Sequence, residues 1–229
     1  MQIADVPAVN RILKRHYEAH KAPVVEFIAV QTRDPFKVLV TTILSARTKD
    51  ETTTQAAQRL FSKVGNMDDL RAISETDLAG LIFPVGFYRT KARHLKQLPD
   101  ALQARFGGVI PSTVEELCEL PGVGRKTANL VVAVAFDKPA ICVDVHVHRI
   151  CNRLGLLDTK DPFETEMTLR KILPTRYWIT WNSHLVSFGQ TLCHPLRPEC
   201  GACPIRKYCD RVGVTPARWN AGDALGQGQ

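Results

Sequence analysis

The sequence has no apolar run long enough to cross a membrane. Its longest, LVVAVAF from Leu130 to Phe136, has seven residues, whereas a helical span needs about 20. No secretory leader is expected from the N-terminus MQIADVPAVNRIL, which reaches an acid at Asp5 without an apolar core of leader length. Internal repeats and low-complexity blocks are missing, which sets aside solenoids and fibrous arrays. The cysteines do not make an even set. There are seven, four of them in one short window, a pattern that speaks for metal rather than disulfides in a reducing compartment. These absences predict a soluble, cytoplasmic protein with no membrane partner.

What is present is a chain of 229 residues, 45% hydrophobic, with a net charge of +7. That is enough for one large domain or two small ones with real cores. Excess positive charge favours polyanions, but it gains weight only beside a motif. Most segments carry helical spacing. Val6, Val9, Leu13 and Tyr17 recur at about every fourth position. In DPFKVLVTTILSA, Asp34 reads as an N-cap with Pro35 at the first helical position. The next helix is expected to close at Gly65, Ser74 to cap another, and Ser112 with Glu115 to form a capping box. NLVVAVAF and PAICVDVHV are valine-rich and suit buried strands as well; helical neighbours and the lack of a hairpin turn between them favour helix for both. After Cys209 the chain thins to a tail.

LPGVGRKTANL, Leu120 to Leu130, reads as a hairpin between two helices. Glycine permits positive φ and lets backbone approach a ligand, and the amides at the start of the second helix suit an anion. Gly122, Val123, Gly124 and Arg125 are therefore candidate phosphate contacts that fix position without reading sequence. Taken alone, a Gly-x-Gly turn is weak and a plain surface turn accounts for it. Lys126 falls in the first helical turn, where a cation is unfavourable. The helix end activates such a lysine by only ~0.3–1 kcal/mol; a covering substrate has to supply the rest. Eighteen residues later Asp144 suits both a helix cap and a carboxylate serving positive charge on a sugar. His146 and His148 beside it read as packing or hydrogen-bonding residues.

Cys193, Cys200, Cys203 and Cys209 follow the pattern C-x6-C-x2-C-x5-C. Four thiolates so close suit one metal centre. Spacing alone leaves zinc and an iron–sulfur cube both open, although common zinc sites use two Cys-x2-Cys pairs and only one stands here. Cys118, Cys142 and Cys151 lie in apolar segments and read as buried thiols.

ELPGVGRKTAN, VDVHVHRICNRLG and the four-cysteine spacing, in this order, resemble the endonuclease III family of DNA glycosylases, within the helix-hairpin-helix superfamily of base-excision repair enzymes. The likeness runs from about Phe36 to Cys209. It implies an all-α protein of two lobes: a six-helix block with the hairpin over 28–138, a second lobe from 1–27 and 139–211 holding a [4Fe–4S] cluster on the four cysteines, and a tail over 212–229. It implies a monomer that acts on double-stranded damaged DNA at the nucleoid, without a nucleotide cofactor. Lys126 becomes the nucleophile that expels an oxidised pyrimidine and forms a Schiff base; Asp144 becomes its carboxylate partner; β-elimination then nicks the strand. The loops LSARTKD and PVGFYRTKA would fill the gap left by the flipped nucleotide. They carry Arg47 where bacterial members usually have glutamine, and Phe87 where leucine is common. In the cluster loop only Arg197 remains of several cations. The rival readings are a non-catalytic DNA-binding module with a structural metal, a glycosylase for mismatched bases, and a redox or zinc protein.

Overall fold

A computed structural model of the chain describes residues 1–20 and 34–214. The end of the expected tail, 215–229, and the proposed lobe boundary at 27–28 lie outside the described residues. Within them every regular element is helical, and no strand occurs. The all-α reading holds. No helix among the described residues is long and apolar enough to cross a membrane. The chain forms two compact units, Met1–Ala22 with Ile141–Gln229, and Pro23–Ala140.

The continuous unit is built on α2 (Pro35–Ser45), where eight residues from Phe36 to Leu44 are buried. Its start obeys the sequence: Asp34 accepts from the Phe36 amide, and Pro35 takes the first position, where no amide donor is needed. Around it lie α3 (Asp50–Phe61), α4 (Met67–Ala72), α5 (Glu75–Ile82), α6 (Tyr88–Phe106), the single turn α7 (Val114–Leu117) and α8 (Arg125–Phe136). Helices α3, α6 and α8 pack on α2. Ser74 caps α5 as expected, accepting from the Asp77 amide. Gly107, in the left-handed region, ends α6.

Two expected helix ends move. The cap of α7 is Thr113, whose hydroxyl accepts from the Glu116 amide and donates to the Glu116 carboxylate, one residue later than the box expected at Ser112 with Glu115; both pairs have the same spacing, and burial of Val114 and Leu117 selects the register. Helix α3 ends at Phe61 rather than at Gly65, whose amide instead binds Asp69 in α4. Cys118 is exposed, not buried. It follows the one-turn helix α7, whose inward positions Val114 and Leu117 are already taken.

The second unit joins α1 (Val6–Glu18) to α9 (Val145–Arg153), α10 (Pro162–Ile172) and α11 (Trp178–Thr191). Val6, Val9 and Leu13 present one stripe that is wholly buried with Ile150, Trp181, Leu185 and Phe188. Helix α11 packs on both α1 and α9. The segment PAICVDVHV is not one helix. Residues 138–144 are irregular, with Ala140 to Val143 buried, and α9 begins only at Val145. Burial in the core overrides local preference there. NLVVAVAF, by contrast, lies in α8 as expected.

Candidate functional site

The hairpin lies between α7 and α8. Gly122 has φ +77°, and a Cβ on it would come within 2.9 Å of the His94 ring, so the turn suits glycine for both torsion and space. Val123 tucks inward, 6% exposed, with its amide on the Leu120 carbonyl at 3.1 Å. Gly124 is the N-cap of α8 and carries no side chain to cover the first amides. Lys126 is the second residue of α8 and is exposed, while Thr127, Ala128 and Asn129 behind it are buried. The lysine therefore projects from a helix anchored by its next three residues. Its charge reaches Asp50, at the start of α3. Burial raises the Asp50 carboxyl above its ordinary range, and Lys126 opposes that rise.

Asp144 belongs to the other unit. Its Oδ1 accepts from the amides of His146 at 2.9 Å and Val147 at 3.0 Å, so it caps α9. The cap fixes the half-buried carboxylate at the positive end of the helix. The neighbouring histidines are structural: His148 Nδ1 pairs with Thr165 Oγ1 at 2.7 Å, and His146 Nδ1 with the Arg149 guanidinium at 3.1 Å.

Cys193, Cys200, Cys203 and Cys209 line one hollow. Ile150, Leu154, Phe188 and Ile205 form its apolar side. Two arginines of α9 hold its rim. Arg149 donates to the Cys193 carbonyl at 2.8 Å, and Arg153 to the His194 carbonyl at 2.7 Å and to Cys193 Sγ at 3.5 Å. Burial, joined by repulsion between neighbouring thiolates, pushes Cys203 up to about 11, and Cys200 and Cys209 upward as well. Among the described residues no three His, Cys, Asp or Glu groups meet closely enough to grip a single metal ion. Four cysteine sulfurs lining one hollow are a donor set of the kind that holds a thiolate-bound metal centre. Arg197 is exposed on the loop between the first two cysteines.

Arg47 and Phe87 lie on separate loops, yet they meet: the Arg47 guanidinium sits 5.6 Å from the centre of the Phe87 ring. Both have positive φ, 54° and 57°, and Phe87 is 63% exposed. Gly86 permits the approach, because a Cβ there would lie 2.5 Å from the Arg47 carbonyl oxygen. Sequence reasoning named both residues but gave no sign of their contact. It also missed Asp50, Arg149 and Arg153. The HVHR and CNR segments flag the two arginines only through their helical distance from Asp144.

Residues 40–175 match the HhH-GPD superfamily of base excision DNA repair proteins. The endonuclease III of Thermotoga maritima is 45% identical over 177 residues, 77% of this chain and 83% of the relative. The endonuclease III-like protein 1 of Bos taurus is 43% identical over 199 residues, 82% of this chain but 65% of that longer protein. Among solved structures, a trapped endonuclease III–DNA covalent intermediate, an estranged-adenine complex, superposes with a TM-score of 0.77. It has 35% sequence identity, and the match covers 90% of this chain and 95% of that one.

Proposed function

This chain belongs to the endonuclease III family within the HhH-GPD superfamily of base excision DNA repair proteins, and we propose that Lys126 and Asp144 carry its reaction. The activity is that of a DNA glycosylase and abasic-site lyase. The substrate class is an oxidised pyrimidine in duplex DNA, flipped out of the stack at an expense of a few kcal/mol. Lys126, as the neutral amine, attacks C1′ of the deoxyribose. The glycosidic bond breaks, and the base departs with the bonding electrons and takes up a proton. The sugar ring opens to a Schiff base on Nζ. Loss of a C2′ proton then drives β-elimination of the 3′ phosphate and nicks the strand. Asp144 stabilises the positive charge that develops on the sugar and assists proton transfer.

The observation that carries this reading is the exposed amine of Lys126, set in the first turn of α8 directly behind the glycine hairpin. A module that only binds DNA has no need of a nucleophile there. Gly122, Val123, Gly124 and Arg125 hold a backbone phosphate, Arg197 adds a further contact, and Arg47 and Phe87 occupy the space of the flipped nucleotide. The segment 28–138 supplies the nucleophile; 1–27 with 139–211 supply the carboxylate and the four cysteine ligands. Those cysteines suit a [4Fe–4S] cluster, which when bound braces its loop and takes no part in breaking the glycosidic bond. The protein acts as a monomer on nucleoid DNA in the cytoplasm.

Borohydride trapping on duplexes carrying thymine glycol or an abasic site tests the reading. The native protein becomes covalently joined to both. Lys126→Gln still binds the duplex, but it forms no adduct and cuts no strand. Full lyase rate in that variant would refute the assignment, and no adduct with the native protein would favour the binding module.

A further inference from the structure

Lys91 is a lysine with its side chain inside the protein. It lies in the first turn of α6, is 7% exposed, and sits on the same helix face as the buried Leu95, Leu98 and Leu102. A buried ammonium needs a partner for each of its three donors. Lys91 Nζ has three: the Leu44 carbonyl at 2.8 Å, the Ala46 carbonyl at 2.6 Å and Thr48 Oγ1 at 3.3 Å. Leu44 and Ala46 lie at the C-terminal end of α2, where carbonyls lack helical partners and the helix dipole favours a cation. Burial pushes the lysine down to about 8, which leaves it charged at neutral pH.

The acceptors bracket Arg47 in sequence, with Ala46 on one side and Thr48 on the other. Thr48 Oγ1 also accepts from the Gly86 amide at 3.1 Å and faces the Ala46 carbonyl at 3.3 Å. Lys91 reaches the second loop through its own backbone as well, its amide on the Phe87 carbonyl at 3.0 Å. One residue thus ties down the two loops whose exposed tips are Arg47 and Phe87. Each tip sits in the left-handed region, which is costly for any side chain lacking the local bonds of Asn or Asp. Such conformations persist where the surroundings hold them, and they gather at functional sites.

We propose that Lys91 is a positioning residue for lesion recognition: it clamps the 46–48 and 86–87 segments together, so that Arg47 and Phe87 meet the DNA as one pre-formed wedge. The inference rests on the reading that these two side chains enter the duplex. Pre-ordering removes the entropic cost of arranging two flexible loops at the moment of binding. Phe87 then supplies a stacking face, and Arg47 supplies a fork of donors toward the unpaired base.

The test uses the full-length protein loaded with its metal centre and thymine glycol duplexes varied at the opposite base. It measures duplex affinity and single-turnover base excision well below each variant's unfolding temperature. Lys91→Met keeps the length and apolar contacts of the stem but removes the three donors. It is expected to weaken duplex binding tenfold or more and to reduce discrimination between opposite bases to the level of Arg47→Ala. Adding Arg47→Ala to Lys91→Met is expected to weaken binding less than twofold further. Strand cleavage at a pre-formed abasic site under saturating enzyme is expected to change less than threefold. Thr48→Val, which removes only the hydroxyl, is expected to move affinity and discrimination the same way by about threefold, and it carries the test if Lys91→Met does not fold. A lower unfolding temperature with native discrimination in these variants would overturn the proposal. If Arg47→Ala and Phe87→Ala themselves leave affinity and discrimination intact, the wedge reading falls, and the proposal with it.

Discussion

Asp144 holds two posts, and substitutions can separate them. Its Oδ1 receives two amides of α9, and its charge is proposed to serve the sugar. Asp144→Ala removes both; Asp144→Asn keeps an oxygen acceptor in nearly the same place and removes only the charge. An N-cap is worth ~1 kcal/mol, up to ~2. A negative charge at a helix start adds ~0.3–1 kcal/mol. Asp144→Ala should therefore lose about 1.3–3 kcal/mol of stability and Asp144→Asn about 0.3–1. For a chain of this length each kcal/mol moves Tm by ~2–4 °C, so Asp144→Ala should melt about 2–8 °C below Asp144→Asn. Base excision should fall alike in both, by ~10²-fold or more, the usual scale for a group that assists proton transfer. Calorimetry and single-turnover excision on one preparation give both numbers. A native excision rate in Asp144→Asn would refute the catalytic assignment. Equal melting temperatures for the two variants would refute the capping argument.

Two further outcomes are expected. His184, 4% exposed, has Nδ1 on Asn10 Oδ1 at 3.1 Å and the Tyr17 ring beside it; its pKa is pushed down from 6.5 to about 4, first by burial and then by Lys14, with Glu18 opposing. Above the ordinary value the imidazole is neutral whether the chain is folded or not. As pH falls through 6.5 toward 4, only the unfolded chain gains the proton, so stability drops by about 3 kcal/mol in all. Chemical denaturation across that range checks this, and a slope unchanged in His184→Gln would contradict it. Cys203→Ser should lose iron and the broad visible absorbance of an iron–sulfur centre, with a lower unfolding temperature. A colourless native protein holding one zinc ion would contradict the cluster.

How much of this was legible in the sequence depends on how local each signal is. Asp34 before Pro35, Ser74, and Asp144 before Val145 announce helix starts because a cap acts within three residues. The lysine behind the hairpin and the four-cysteine pattern are legible for the same reason. Thr113 displaced Ser112 because neighbouring hydroxyls offer identical chemistry and only the buried face chooses between them. The helical neighbours of 139–144 misled because tertiary burial, not local preference, fixes that segment. Cys118 misled because a one-turn helix has too short a period to define an inner face. The meeting of Arg47 with Phe87, forty residues apart, has no local signal at all. Lys91 had one: four residues before Leu95 and seven before Leu98, it stands on an apolar stripe, where a charge calls for explanation.

Splitting the second unit across both ends of the chain has a consequence for biosynthesis. Helix α1 leaves the ribosome first, yet its partner α11 ends at Thr191. At ~5–20 residues per second, the apolar stripe of Val6, Val9 and Leu13 waits roughly nine to thirty-six seconds for its docking surface. The continuous unit is finished well before then and can fold first. The four cysteines follow α11 in the chain, so the hollow they line is completed only after the lysine-bearing half has left the ribosome whole.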